Sequence, residues 1–391
     1  MSGGNVPTVG RGMRHNGVVA QNVIADGIDL DAMIDDVRRL VCIESPSRDL
    51  DALERSAHEL ASILTERLGS APTIVASANG PHVHWSGGGA PRVLIVGHHD
   101  TVFPLGALAQ RPFTVEGGRA TGPGVFDMKA GIVQAVHGVA ALADRSGVEI
   151  LISADEEIGS GESRELIVER ARACGSVLVL EPSADGGALK TARKGTGTFE
   201  VLVSGRAAHA GLEPEKGVNA LVEVAHLVLK IATFGDPSRG TTVTPTVSSS
   251  GTTDNVVPAL ARVLVDCRVV EADERERVEK CFADLVPTVA GASIEVRGGF
   301  NRPPMPPAAS VDLFPLARAV ATELGFGEID GVAVGGGSDG NFTAAAGVAT
   351  LDGLGAVGGG AHADHEWIDV TVMPNRARLI AGLVGRLQDR G

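Results

Sequence analysis

Several segments of this chain end in side chains that bind metal ions. Residues 93–97 run into His98-His99-Asp100, and residues 150–154 into Asp155-Glu156-Glu157. Residues 177–180 run into Glu181, and Leu351 leads through a glycine-rich loop to His362. Asp127 stands in a further segment, residues 122–131, just before a helical stretch. Two imidazoles and three carboxylates suit zinc, which accepts nitrogen and oxygen ligands. Five such groups overfill one tetrahedral site. The charges balance for two ions: three carboxylates and one hydroxide offset two Zn²⁺. The residues therefore predict two zinc ions per chain, with cobalt or manganese as substitutes, held by His98, Asp127, Glu181, His362 and one of the pair Glu156 and Glu157.

The neighbours of these ligands have their own tasks. Asp100 lies two residues from His98, so in an extended segment both point the same way. Asp100 is expected to accept the second N–H of His98 and fix its tautomer. Glu156 and Glu157 are adjacent and diverge, so one binds metal while the other stays free. A free carboxylate there takes a proton from water and passes it to a leaving amine.

Each piece also has an ordinary explanation. A lone His-x-Asp is usually a surface pair, Glu-Glu is usually solvated charge, and an acid after a strand is often a helix cap. These explanations fail jointly, because all the groups sit at one topological edge. Residues 335–340, Gly-Gly-Gly-Ser-Asp-Gly, raise two rival readings. One is a dinucleotide loop, which lacks the βαβ unit with an acid about 20 residues on. The other is a nucleophile elbow, with Ser338, Asp352 and His362 as a serine-hydrolase triad. Neither explains the acids. A metal-binding protein without catalysis is a further alternative, and a free Glu156 argues against it.

These groups need a sheet to bring them together. Residues 93–96, 150–152, 177–180 and 348–351 are short apolar runs, as strands buried on both faces require. Helical periodicity follows Asp29 (Leu30, Ile34, Val37, Val41) and recurs at 60–68, 131–142 and 163–173. The fold class is therefore α/β, a mixed, mostly parallel sheet between helices. Ligands in such sheets gather outside the carboxyl ends of the strands. The middle differs: strand 199–203, helix 218–231, strand 242–248, strand 261–269, helix 273–289 and strand 292–296 give a ferredoxin-like β-α-β-β-α-β order. The expected organisation is a loose tail at 1–27, a catalytic domain in two parts at 28–194 and 301–391, and an inserted domain at 195–300.

Composition narrows the function further. The 391 residues are 43% hydrophobic, with 52 glycines and a net charge of −14. Such a charge argues against nucleic acid or an anionic membrane as partner. Four cysteines, none in a C-x-x-C pair, read as reduced thiols in a cytoplasmic protein. No secretory signal or membrane span is evident.

Residues 97–102 (Gly-His-His-Asp-Thr-Val), 122–131 (Gly-Pro-Gly-Val-Phe-Asp-Met-Lys-Ala-Gly), 155–159 (Asp-Glu-Glu-Ile-Gly), 181–183 (Glu-Pro-Ser) and 205–211 (Gly-Arg-Ala-Ala-His-Ala-Gly) resemble the dizinc metallopeptidases. That family includes carboxypeptidase G (glutamate carboxypeptidase), aminoacylase, succinyl-diaminopimelate desuccinylase and peptidase T. The chain is most like the carboxypeptidase G branch. The resemblance implies that His98 and Glu181 hold one zinc, Glu157 and His362 the other, and that Asp127 bridges them before a cis peptide to Met128. Glu156 would be the general base and then the acid. The insert would form a homodimer, and its His209 would stabilise the oxyanion in the partner's site. Asn255 and Arg302 would meet the substrate carboxylate, and Lys190 an acidic side chain.

Three features depart from the family pattern. Met128 stands where a second Asp is familiar, Ser338-Asp339 where a Thr-Asp pair is. The glycine-rich run 358–366 leaves His365 as a rival to His362. The expected activity is exo-acting hydrolysis of small peptides or N-acyl amino acids, with release of glutamate one version of it.

Overall fold

The computed structural model describes residues 27–389. The tail expected at 1–27 lies outside them apart from Gly27. Asp29 caps α1 (Leu30–Val41), its carboxylate accepting from Asp31 N and Ala32 N. Asp49 caps α2 (Leu50–Leu68) through Ala52 N, so this helix starts well before the periodic stretch expected from residue 60.

A short strand β1 (Thr73–Val75), β2 (His82–Ser86) and β3 (Val93–His98) follow. Then come α3 (Ala130–Ala140), β4 (Val148–Ser153), α4 (Arg164–Cys174) and β5 (Ser176–Val179). The insert runs β6 (Gly195–Ser204), α5 (Ala220–Ile231), β7 (Thr242–Ser250), β8 (Leu260–Val269), α6 (Ala272–Ala283), β9 (Ser293–Arg302). The chain returns through α7 (Leu313–Glu323) and β10 (Ala349–Leu351) and closes with α8 (Met373–Gln388).

The first sheet has the order β1-β2-β4-β3-β5-β10. β3 pairs parallel with β4 and β5, and β10 pairs parallel with β5. β1 and β2 form an antiparallel edge. Alternate residues of β3 serve opposite layers: Val93 and Ile95 pack with α1, α2, α3 and α8, while Leu94 and Val96 pack with Ile167 and Ala171 of α4. Fully burying each such side chain contributes about 1.5–3 kcal/mol. This two-sided burial is why these strands lack polar alternation, and it puts the carboxyl ends of β3, β4 and β5 side by side.

The insert's sheet has the order β7-β8-β6-β9, antiparallel throughout, with α5 and α6 on one face. That is the ferredoxin-like arrangement. α6 stops at Ala283, short of the expected residue 289. Pro287 cannot donate to a helical carbonyl, and the N–H groups of Thr288 and Val289 bond instead to the Glu223 carboxylate. The fold is mixed α/β with an inserted ferredoxin-like unit. Among the described residues no helix is long and apolar enough to cross a membrane.

Candidate active site

β3 delivers His98 as its last residue, buried at the middle of the sheet. Its Nδ1 donates to the backbone carbonyl of Asp100 at 2.9 Å. That bond directs Nε2 to Asp127 Oδ1, 3.2 Å away, with Glu181 Oε1 at 3.8 Å. The other oxygen of Asp127 faces a second pair: His362 Nε2 lies 3.2 Å from Asp127 Oδ2 and 3.2 Å from Glu157 Oε2. Donor atoms of His98, Asp127 and Glu157 fall within 4.8 Å of one another, and so do those of His98, Glu156 and Glu181. The structure thus brings together all five expected ligands and places Glu156 against one half of the cluster.

Asp127 is aimed by an irregular turn before α3. Gly124, at φ +72°, starts it, and the Asp127–Met128 peptide is cis. The buried Glu366 carboxylate accepts from Gly124 N (2.9 Å), Phe126 N (2.8 Å) and Asp127 N (2.8 Å). Met128 points into the core, its sulfur accepting from His98 N at 3.2 Å. At Gly131 a side chain would meet the Leu180 carbonyl at 2.6 Å, so only glycine lets α3 approach the Glu181 segment this closely.

Asp100 departs from its expected role. Its backbone carbonyl is the near partner of His98, and its carboxylate stands 3.5 Å from the ring. The chain turns after β3 and brings the carbonyl in first. The carboxylate instead accepts from Ser47 Oγ (2.7 Å), Glu156 N (3.1 Å) and Glu157 N (3.2 Å), bracing the turn that carries both glutamates. On that single turn Glu157 faces His362 and Glu156 faces Arg302. His99 points away to Ser56 and Pro81 as a core residue, burial pushing it down to about 4.

So many acids in one dry place cannot all stay ionised unaided. Burial, then the nearby Asp127, pushes Glu181 up to about 7. Burial drives Glu156 well above the usual carboxylate range. Hydrogen bonds that His362 donates to Asp127 and Glu157 raise it to about 11. Burial opposes ionisation of Asp127 too, yet His362 and His98 hold it well below the ordinary value. Glu157 Oε1 is buried with no hydrogen-bond partner. An orphaned carboxylate oxygen among nitrogen and oxygen donors is what a divalent cation would satisfy, so these residues fit a metal centre.

The remaining expected site residues divide. Arg302, at the end of β9, is buried and already engaged: its Nη2 meets Glu156 Oε1 (2.8 Å), Ser160 Oγ (3.0 Å) and Asp339 Oδ1 (3.4 Å). Lys190 lies on the strand Leu189–Arg193 and lines a cavity of about 430 Å³ with Arg193. His209 and Asn255 sit together on the exposed face of the insert, where His209 bridges to Val256 and Asn255 O accepts from Ala210 N at 2.9 Å. Neither lines the cleft that holds Glu156, Glu157, Arg302 and His362.

The serine-hydrolase triad does not form. Ser338 is fully buried and donates to Asp352 Oδ2 at 2.6 Å, while His362 stands with Asp127 and Glu157. Arg193 grips Asp352 through Nε (2.6 Å) and Nη2 (3.1 Å) and the carbonyls of Gly336 (3.1 Å) and Gly337 (3.2 Å) through Nη1. The glycine-rich loop is thus an internal brace, and a dinucleotide loop is not formed either. His365 stays exposed and outside the cluster. Sequence reasoning missed Glu366 and Arg193. Their partners are distant in the chain, so no spacing signal marked them.

A family model described as peptidase family M20/M25/M40 matches residues 94–386. The chain is 31% identical over 369 residues to carboxypeptidase G2 of Pseudomonas sp. strain RS-16, covering 90% of this chain and 88% of that one. It is 30% identical over 255 residues to succinyl-diaminopimelate desuccinylase of Afipia carboxidovorans, covering 55% and 66%. Among solved structures, the M20 family metallo-carboxypeptidase Sso-CP2 from Sulfolobus solfataricus superposes with a TM-score of 0.75 at 16% identity, covering 92% of this chain and 99% of that one. Aminopeptidase PepT from Bacillus cereus gives 0.72 at 20%, with the same coverage.

Proposed function

The chain belongs to peptidase family M20/M25/M40, and from that premise we propose that it is an exo-acting amide hydrolase with two co-catalytic divalent ions. The observation that carries this reading is the Asp127 carboxylate, whose two oxygens face two separate histidine–glutamate pairs. His98 and Glu181 would hold one ion, His362 and Glu157 the other, and Asp127 both. Zinc suits the donors, with cobalt or manganese as substitutes. Bound there, the ions would polarise an amide carbonyl and acidify water.

The chain's own residues do the rest. Glu156 is the one acid of the cluster left outside this ligand set, and it takes a proton from water and returns it to the leaving amine. Asp100 holds Glu156 and Glu157 apart through their backbone N–H groups. A substrate carboxylate competes with Glu156 for Arg302, so capturing the substrate frees the base. Lys190 has no side-chain partner among the described residues and suits an acidic group near Glu181.

His209 acts across a homodimer in this reading. Its Nδ1 accepts from Gly211 N at 3.1 Å, which leaves Nε2–H to donate outward. Leu221 and Leu229 on α5 and Val247 on the edge strand β7 are exposed, and a second copy would cover them. Asn255 beside His209 would approach the substrate with it. A cytoplasmic setting accords with four unpaired cysteines. The substrate is a small peptide or an N-acyl amino acid, and glutamate release accords with the likeness to carboxypeptidase G2. A panel of dipeptides and N-acyl amino acids, assayed with added zinc, tests this reading. Failure to hydrolyse any member would overturn it.

A further inference from the structure

The active-site cleft encloses about 840 Å³ between the metal-ligand cluster and the insert's sheet. Three arginines line it. Arg302 is paired with Glu156 and Asp339, and Arg268 with Asp266 on its own strand. Arg48 is different. It makes no hydrogen bond, ion pair or ring contact among the described residues, although Glu157 lines the same cleft.

Its backbone is also unusual. Arg48 has φ +73°, one of three non-glycine residues in the left-handed region among the described residues. An L side chain there is strained, and glycine would remove the strain. The neighbours hold this geometry in place on both sides. Pro46 bridges to Thr101, Ser47 N donates to Thr101 O at 3.1 Å, and Ser47 Oγ donates to Asp100 Oδ2 at 2.7 Å. On the other side Asp49 is fixed as the cap of α2. A long cation is therefore mounted on a strained turn at the rim of the cleft, with nothing among the described residues to receive it. Strain kept at a binding site is strain with a task.

We propose that Arg48 is a specificity-determining residue that receives a carboxylate of the substrate at the cleft rim. Guanidinium and carboxylate match in shape as well as charge, and the match is made only when an anionic substrate enters. Arg302 serves a carboxylate only by leaving Glu156, whereas Arg48 is available from the start. The inference rests on the reading of this cleft as the substrate site, and it makes dianionic substrates the preferred class.

The test compares wild type with Arg48→Gly and Arg48→Lys on two substrate pairs. One pair contrasts N-succinyl with N-acetyl amino acids, so the extra carboxylate is on the acyl side. The other contrasts free-acid with amidated amino acids, so it is on the leaving side. In Arg48→Gly the kcat/KM of the member with the extra carboxylate, relative to the member without it, should fall about tenfold in one pair, through KM, with Arg48→Lys between the two. The melting temperature should not fall, because glycine relieves the strained φ. Ratios unchanged in both pairs would overturn the proposal, whatever the melting temperature does. If wild type hydrolyses no substrate, the amide-hydrolase reading fails by itself. Calorimetric binding of succinate to zinc-loaded wild type and Arg48→Gly then decides the role of Arg48: weaker binding to the variant supports it, equal binding overturns it.

Discussion

His362 Nε2 stands 3.2 Å from Asp127 Oδ2, the oxygen that His98 does not face. One carboxylate is thereby shared between two half-sites of very different exposure: the His98 side chain is 1% exposed and that of His362 51%. The histidine on the sheet is fixed by packing, and the one on the glycine-rich loop is half exposed.

The shared carboxylate gives the first prediction. Asp127→Ala should reduce bound metal from about two ions per chain to near none, and His362→Ala to about one, by elemental analysis of dialysed protein. Equal losses in the two variants would show that Asp127 is an ordinary ligand of one ion.

The turn holding Glu156 and Glu157 gives the second. Glu156→Gln should keep its metal and lose on the order of 10²–10⁴ in kcat, since the proton carrier is gone while the ligands remain. Glu157→Gln should lose metal as well. The reverse pattern would mean that Glu156 is the ligand and Glu157 the base, an assignment that the closeness of Glu156 to His98 and Glu181 makes worth excluding.

Much of this site could be read from the sequence, because the apolar runs of β3, β4 and β5 lead into His98, Glu157 and Glu181. The mounting could not. Glu366 works by collecting backbone N–H groups of residues 124–127, far away in sequence, and Arg193 works by gripping Asp352 and two loop carbonyls. Such partners leave no spacing pattern. The six residues 335–340 misled for the opposite reason: a short pattern in a glycine-rich chain suggested a triad, and Ser338 turned out to bond Asp352 in the core. The end of α6 was missed because Pro287 and the Glu223 carboxylate act at a helix terminus that periodicity alone does not mark.

A third prediction concerns His209, which lies outside its own chain's cleft. His209→Ala should cost on the order of 10²–10³ in kcat with metal retained. Refolding it together with Glu156→Gln should restore about a quarter of wild-type activity, because about half the dimers are hybrids with one intact site. Hybrids that form without regaining activity would show that His209 does not act across an interface.

A fourth prediction concerns stability away from the site. Asp36 is buried in α1 between His137 (2.8 Å) and Arg67 (2.8 Å). Burial alone would raise its pKa, but hydrogen bonds from His137 and Arg67 outweigh it and lower the carboxyl to about 2. A depressed carboxyl stabilises the fold above the unfolded value and loses that contribution as pH falls through the folded one. Asp36→Asn should therefore cost about 2 kcal/mol at neutral pH, and the gap to wild type should close between about pH 4 and pH 2. Denaturant unfolding across that range measures it, and a gap independent of pH would contradict it.

If two ions share Asp127, amide hydrolysis depends on both of them. The most direct measurement follows metal content and hydrolysis of an N-acyl amino acid in one sample, through chelation and stepwise return of zinc. Activity should disappear with the metal and return in full as the content approaches about two ions per chain. Full hydrolysis by metal-free protein, or full recovery with no second ion bound, would contradict it.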